Sequence, residues 1–200
     1  MKKQLWITSL MLAVLMAGGS LAWAGGPTDY VRGILDQVMA IQKNPALAGE
    51  AQKATRAREI RRVIQQSFDF SLMAKTSLGA SFERLPSGQR QDFIDTFAFL
   101  FQDSYTRMVL NFLKQETIRY QQERQDNGQA RVNTTIVRTN ETIPVDYFMH
   151  RGPKGWLLYD VSVDGVSILE NYKNQFAQVI RTQSFDSLLS RMKTQRRALP

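Results

Sequence analysis

The chain has 200 residues, 43% of them hydrophobic and 22% charged, with a formal net charge of +8, no cysteine and a single histidine. That length suits one domain with its own core. The lack of cysteine excludes disulfides, thiol chemistry and thiolate metal sites, and one histidine leaves too few ligands for a zinc centre.

The N-terminus has the form of a secretory signal. Lys2 and Lys3 are basic, Leu5 to Ala17 is mostly apolar, and Ala22-Trp23-Ala24 offers a cleavage site before Gly25. The expected division is therefore a signal peptide over 1–24 and a single domain over 25–200. No later segment is apolar enough to span a bilayer. A basic exported chain is suited to anionic headgroups or acidic protein surfaces, not to nucleic acid.

Helical spacing of Tyr30, Ile34, Leu35, Val38 and Ile41 predicts a helix from Tyr30 to Lys43, ended by Pro45. A second helix is predicted over 47–67. Ile60, Val63 and Ile64 form its apolar face, and Lys53, Arg56, Arg58, Arg61 and Arg62 its basic one. Such a face is solvated, or it meets anionic lipid or a docking partner. Phe70 to Leu78 reads as a short helix stopped by Gly79. The longest helix is predicted from Gln89 to Lys114, with Phe93, Phe97, Leu100, Phe101, Tyr105, Met108, Val109, Phe112 and Leu113 inward. So many large apolar groups need broad cover, or line something.

After Glu116 the period changes to two. Strands are predicted at 117–125, 129–139, 143–150 and 156–163, with Asn127-Gly128 marking the first hairpin. Ser167 with Glu170 three residues later forms a capping box, opening a helix to about Thr182. Ser184 opens a final helix with Phe185, Leu188, Leu189 and Met192 inward. Helices, then a meander, then helices is an α+β order: a curved four-stranded antiparallel sheet covered by N- and C-terminal helices enclosing an apolar pocket.

Catalytic signatures are sparse. His150 lacks a partnered nucleophile and a G-x-S-x-G elbow, so an exposed strand-end histidine is expected. Asp160 and Asp164, four apart on a strand, would lie roughly 13 Å from each other at about 3.3 Å per residue, too far for a glycosidase pair. Asp164 precedes Gly165 and suits a turn. Asp160, among apolar residues, is expected to be buried beside a partner such as a helix arginine. A catalytic Asp160 in an isomerase or hydrolase is the enzyme alternative.

Several ordered motifs resemble the MlaC, or toluene-tolerance, family of periplasmic phospholipid-binding proteins. They are F-D-F-S-L-M-A from Phe68, Leu78-Gly79, Q-R-x-x-F-x-x-x-F from Gln89, Tyr105, and I-P-V-D-Y from Ile143. The most specific are W-x-x-Y-D-V-S-V-D-G-V-S from Trp156 and N-Y-x-x-Q-F from Asn171. Phe82 stands near where this family often shows tryptophan. The resemblance implies an NTF2-like sheet under a helical layer, with acyl chains between them and the headgroup near solvent. It implies no catalysis and no cofactor. The implied partners are phospholipid, an inner-membrane MlaD-type ABC transporter complex and an outer-membrane lipoprotein-porin complex, with handover maintaining outer-membrane lipid asymmetry. A hopanoid or other polycyclic lipid is the alternative cargo. The chain is expected to be monomeric. Expected lipid-lining residues are Phe97, Phe101, Tyr105, Met108, Tyr147, Met149, Leu158, Val163 and Val166.

Overall fold

Pro27 opens the first helix in the computed structural model, which describes residues 25–113 and 116–199. The expected signal peptide, 1–24, lies outside the described residues. Helix α1 runs Pro27–Lys43 and buries Val31, Leu35, Val38 and Met39. Proline suits a first helical position because its missing N–H has no partner there.

The second predicted helix is shorter than its apolar pattern suggested. Two 3-10 turns, Pro45–Leu47 and Glu50–Gln52, precede α2, Lys53–Ser67. Pro45 and Gly49, the latter at φ +80°, interrupt regular helix. Part of the basic face is spent internally. The Arg56 guanidinium donates to the carbonyls of Leu47 and Gly49. Arg61 donates to buried Asp103 at 2.7 Å, and Arg107 pairs with the same carboxylate. A buried carboxylate held by two guanidinium groups has the partners that burial requires.

Helix α3, Phe70–Leu78, is capped by the Asp69 side chain, which accepts from the Leu72 N–H at 2.9 Å. A single helical turn, α4 (Ala80–Glu83), follows; it is too short to leave a period in the sequence. Helix α5, Ser87–Phe112, is covered on several sides because it packs against α2, α3 and α7, Phe185–Arg197. Phe93 and Phe97 are completely enclosed, each contributing about 2 kcal/mol of transfer free energy.

The four predicted strands are β1 (Thr117–Asp126), β2 (Gln129–Val137), β3 (Thr142–Gly152) and β4 (Gly155–Val163). They form an antiparallel meander to which a fifth strand, β5 (Val166–Ser167), is added, in the order β1-β2-β3-β4-β5. The fifth strand follows a tight turn in which Asp164 and Gly165 both have positive φ. Asn127 and Gly128 likewise have φ +46° and +78°, as their hairpin demands. Irregularities in register between Tyr120 and Glu123 and between Phe148 and Met149 bend the sheet. The second also shifts the alternation along β4. Leu158 opposes Met149, whereas Val161 and Val163 oppose Tyr147 and Val145.

Ser167 caps helix α6, Ile168–Thr182, by accepting from the Glu170 N–H at 2.9 Å. The Glu170 carboxylate does not complete the capping box; it takes Lys173 instead. Ser184 caps α7 through the Ser187 N–H. Helix α6 packs on β4 and α3, which closes the layer of helices over the sheet.

Candidate functional site

The C-terminal third of α5 and the concave face of the sheet do not fully meet. Between them lies an apolar cavity of about 70 Å³. Tyr105, Met108, Val109, Phe112 and Leu113 form the helical wall. Ile136, Ile143, Val145, Tyr147, Val161 and Val163 form the sheet wall. Alternation along β3 puts Ile143, Val145 and Tyr147 on one face, and Ile136 opposes Ile143 across the β2–β3 pairing.

Two tyrosines, Tyr105 and Tyr147, line this apolar space. Tyr147 is buried and bonded to Thr134, whose own hydroxyl donates to the Val145 carbonyl at 3.0 Å. Desolvation pushes both phenols well above their ordinary range, with Asp160 adding to the effect at Tyr105. Both are therefore neutral around the cavity.

The helical wall is fastened at its open end. Gln42 of α1 donates to the carbonyls of Val109, Leu110 and Leu113, the last at 2.7 Å. Arg138 donates to the Phe112 carbonyl at 2.8 Å. The Val109 carbonyl also takes the Leu113 N–H, but the others are carbonyls of the kind that a helix end leaves without intrahelical partners. Among the described residues, the large hydrophobic side chains left exposed are Phe112, at 48%, and Val166, at 63%. Phe112 lines the cavity, and Val166 opposes the lining residue Val163 in the β4–β5 pairing. The exposed apolar surface is thus gathered at the cavity mouth.

The nine expected lining residues divide by place. Tyr105, Met108, Tyr147 and Val163 line the cavity. Phe97 lines a separate cleft of about 320 Å³ between α5, α6 and α7, near Tyr172 and Met192. Phe101 stacks behind Tyr105 with ring centres 5.4 Å apart. Met149 and Leu158 oppose each other in the enclosed core. Val166 stands outside at the mouth. The expected set left out Ile136, Ile143, Val145 and Val161 of the sheet wall, and Val109, Phe112 and Leu113 of the helical wall. A two-residue step back from Tyr147, followed across the hairpin, would have found the first three.

The acid and imidazole groups serve the scaffold. Asp160 is buried, but its partners differ from the helix arginine anticipated. It accepts from the amides of Val161 and Leu169 at 2.8 and 2.9 Å and from the Ser167 hydroxyl. The β4–β5 turn brings the N-terminus of α6 onto it, so the Leu169 amide of that helix, with the Ser167 hydroxyl and the Val161 amide of β4, replaces a cation. Asp164 is exposed in that turn, as its place before Gly165 implied.

His150 is half-buried within β3, not exposed at a strand end, and pairs with Asp69 at 2.9 Å. The reason is that Phe68 bridges to Leu158 and the Asp69 N–H donates to the Leu158 carbonyl, laying Asp69 beside the sheet. Asp69→Ala should cost about 1–2 kcal/mol by removing both the cap of α3 and this contact. His150→Ala should leave ligand occupancy unchanged. Denaturant melts and lipid analysis of the two variants check this; a fall in occupancy for His150→Ala would instead give the pair a role at the site. No group of three or more His, Cys, Asp or Glu suited to a metal ion occurs among the described residues.

A larger groove, of about 640 Å³, lies on the outer face of β1–β3, but it is open and polar. Arg131 and Asn133 there both bind Asp146, so charged and amide groups occupy much of its wall. Among the described residues, no helix is long and apolar enough to cross a membrane.

An open antiparallel sheet under a layer of helices, with an apolar cavity between them, defines an α+β binding domain. Residues 32–194 match the family model described as MlaC protein, and the chain belongs to that family. The intermembrane phospholipid transport system binding protein MlaC of Haemophilus influenzae is 29% identical over 120 residues, covering 58% of this chain. The chain spans 56% of the length of that relative. The phospholipid-binding protein of Ralstonia solanacearum, solved in complex with a phospholipid, has a similar structure. Its TM-score is 0.74 at 26% identity, covering 87% of this chain and 98% of that one.

Proposed function

We propose that this protein is a carrier that holds phospholipid acyl chains between α5 and the sheet. The observation that carries this reading is the apolar cavity whose mouth collects the exposed Phe112 and Val166. Few such side chains are exposed among the described residues, and the placement of these two there suits a ligand that is itself apolar. Each methylene removed from water contributes about 0.8 kcal/mol, so two acyl chains bind without any hydrogen bond to the wall. The kinship with phospholipid-binding proteins supports the same reading.

The cavity of about 70 Å³ is far below the roughly 300 Å³ from which pockets for small molecules begin. Loading therefore requires the walls to part. Tyr105, Met108, Tyr147 and Val163 are the first contacts, and Phe97, Phe101, Met149, Leu158 and Val166 extend them as the chains go deeper or emerge. Met108 is a flexible side chain suited to acyl chains of varying shape.

In the cell, the proposed route runs through the periplasm. The signal peptide is removed after Ala24, and the monomeric domain 25–200 carries lipid between an inner-membrane MlaD-type ABC transporter complex and an outer-membrane lipoprotein-porin complex. This traffic maintains outer-membrane lipid asymmetry. No catalytic step is proposed, since Asp160 is already engaged by two amides and a hydroxyl.

Native mass spectrometry of the protein purified from a bacterial periplasm, followed by lipid extraction, tests this directly. The expected result is a chain starting at Gly25 with adducts that fragment as phospholipids. A polycyclic adduct would make the cargo a hopanoid-type lipid. A bare mass, with no uptake from liposomes, would overturn the carrier reading.

A further inference from the structure

The motif N-Y-x-x-Q-F takes no part in the apolar cavity, yet its four named residues, Asn171, Tyr172, Gln175 and Phe176, all line one other space. That space is the cleft of about 320 Å³ between α5, α6 and α7, where Ser104 and Gln195 join them. Hydroxyl and carboxamide groups make up much of its wall. An acyl chain lying there would strip water from those groups and give them no partner. The cleft is therefore not itself suited to acyl chains.

Cleft and cavity are nevertheless close neighbours. Ser104 of α5 lines the cleft, and the next residue, Tyr105, lines the cavity. The enclosed ring of Phe101 links the two walls: its centre lies 5.4 Å from that of Tyr105 and 6.3 Å from that of Tyr172. Tyr172 is only half-buried, and its hydroxyl is bonded to Ser104. In a close-packed interior, a side chain can retreat only where a void takes up what it displaces. The cleft is such a void. A turn of Tyr172 into it would carry the hydroxyl from Ser104 to the carboxamides of the cleft wall, which can both donate and accept. Ser104, itself half-buried, keeps access to water. No polar group is stranded by the move, and the space that the ring leaves is apolar.

We propose that Tyr172 is a specificity-determining residue that sets how much acyl chain the site accepts, by turning into the cleft and letting Phe101 retreat from behind Tyr105. The inference rests on the carrier reading above. With Tyr172 against Phe101, the cavity ends at Tyr105 and suits short chains. With Tyr172 in the cleft, the site deepens along α5 and takes the far ends of long ones. Tyr172 acts through Phe101 and touches no lipid in the closed form, so it is a positioning residue. Longer cargo must displace it, and that cost is what discriminates between chain lengths.

The test is a competition between chain lengths. The purified protein is equilibrated with vesicles of equimolar dilauroyl and dioleoyl phosphatidylcholine, re-isolated, and its lipid counted by mass spectrometry. Each further methylene buried strengthens binding about fourfold, so room for two or more gives about tenfold. Tyr172→Ala should therefore shift the ratio of long to short lipid at least about tenfold above that of the unmodified protein. Tyr172→Leu, which keeps an apolar side chain in place, should shift it the same way by a smaller factor, so a loss of fold in Tyr172→Ala leaves the test intact. Tyr172→Phe, which keeps the ring, should not shift it toward the longer lipid. A ratio unmoved in folded Tyr172→Ala or Tyr172→Leu, or raised as much by Tyr172→Phe, would overturn the role of Tyr172 and leave acyl-chain binding standing. Uptake of neither lipid by any form would overturn the carrier reading and this proposal together.

Discussion

Val163→Glu should give a folded protein that holds almost no phospholipid. Val163 lines the cavity from the end of β4 and is only half-buried, so a glutamate there can turn its carboxylate toward water while the cavity is closed. The cost to folding is correspondingly small, about 1 kcal/mol, which lowers Tm by roughly 2–4 °C. Acyl chains change the balance. They would cover the carboxylate without giving it a partner, at a penalty of several kcal/mol after relaxation. That offsets the gain from several methylenes at about 0.8 kcal/mol each. Lipid occupancy after purification should fall at least about tenfold, a loss of about 1.4 kcal/mol or more in affinity. Met108→Glu on the opposite wall should behave alike, whereas Val163→Leu should retain lipid. Unchanged occupancy in folded Val163→Glu would remove Val163 from the site.

Asp160→Ala should act on the fold. The carboxylate joins β4 to the first turn of α6 through the Leu169 amide and the Ser167 hydroxyl, and its loss leaves buried donors unpaired. Each such donor costs about 1–3 kcal/mol, so a total of about 3 kcal/mol is expected. Burial holds the carboxyl above its usual 3.8, against the hydrogen bonds from Ser167, Leu169 and Val161, which pull it down. The folded chain thus keeps this proton at a pH where the unfolded chain has released it. The contribution of Asp160 therefore falls as pH rises from 3.8 through the higher folded-state value, then levels off. Denaturant melts across that interval should show the decline in the unmodified protein and lose it in Asp160→Ala. A destabilisation under about 1 kcal/mol would mean that the junction is held by other contacts. A lipid-modifying turnover abolished by Asp160→Asn would instead assign the residue to chemistry.

Most elements were legible because their signals are local. The end of α3 follows from the Gly79 stop, and the hairpin at Asn127-Gly128 follows from residues that tolerate positive φ. The start of α2 was misjudged because alanines at 48, 51 and 54 continue a helical pattern through Gly49, whose positive φ interrupts it. The two-residue β5 was invisible because two residues establish no period. His150 and Asp69 are 81 residues apart, and nothing local joins them.

By itself, the sequence determined the α+β order, the amphipathic faces, and the candidates for a lipid site. Periodicity and turn chemistry act over a few residues and are written in the chain. It could not separate Tyr105, which lines the cavity, from Phe101, one turn earlier on the same stripe and packed behind it. Both read as inward positions of one helix. Only the tertiary structure decided between them, through the irregular register of β4 that turns Val161 and Val163 inward and through the fastening of the α5 end by Gln42 and Arg138. A cavity is the place where two packed surfaces fail to meet, and that depends on the relative position of elements distant in sequence.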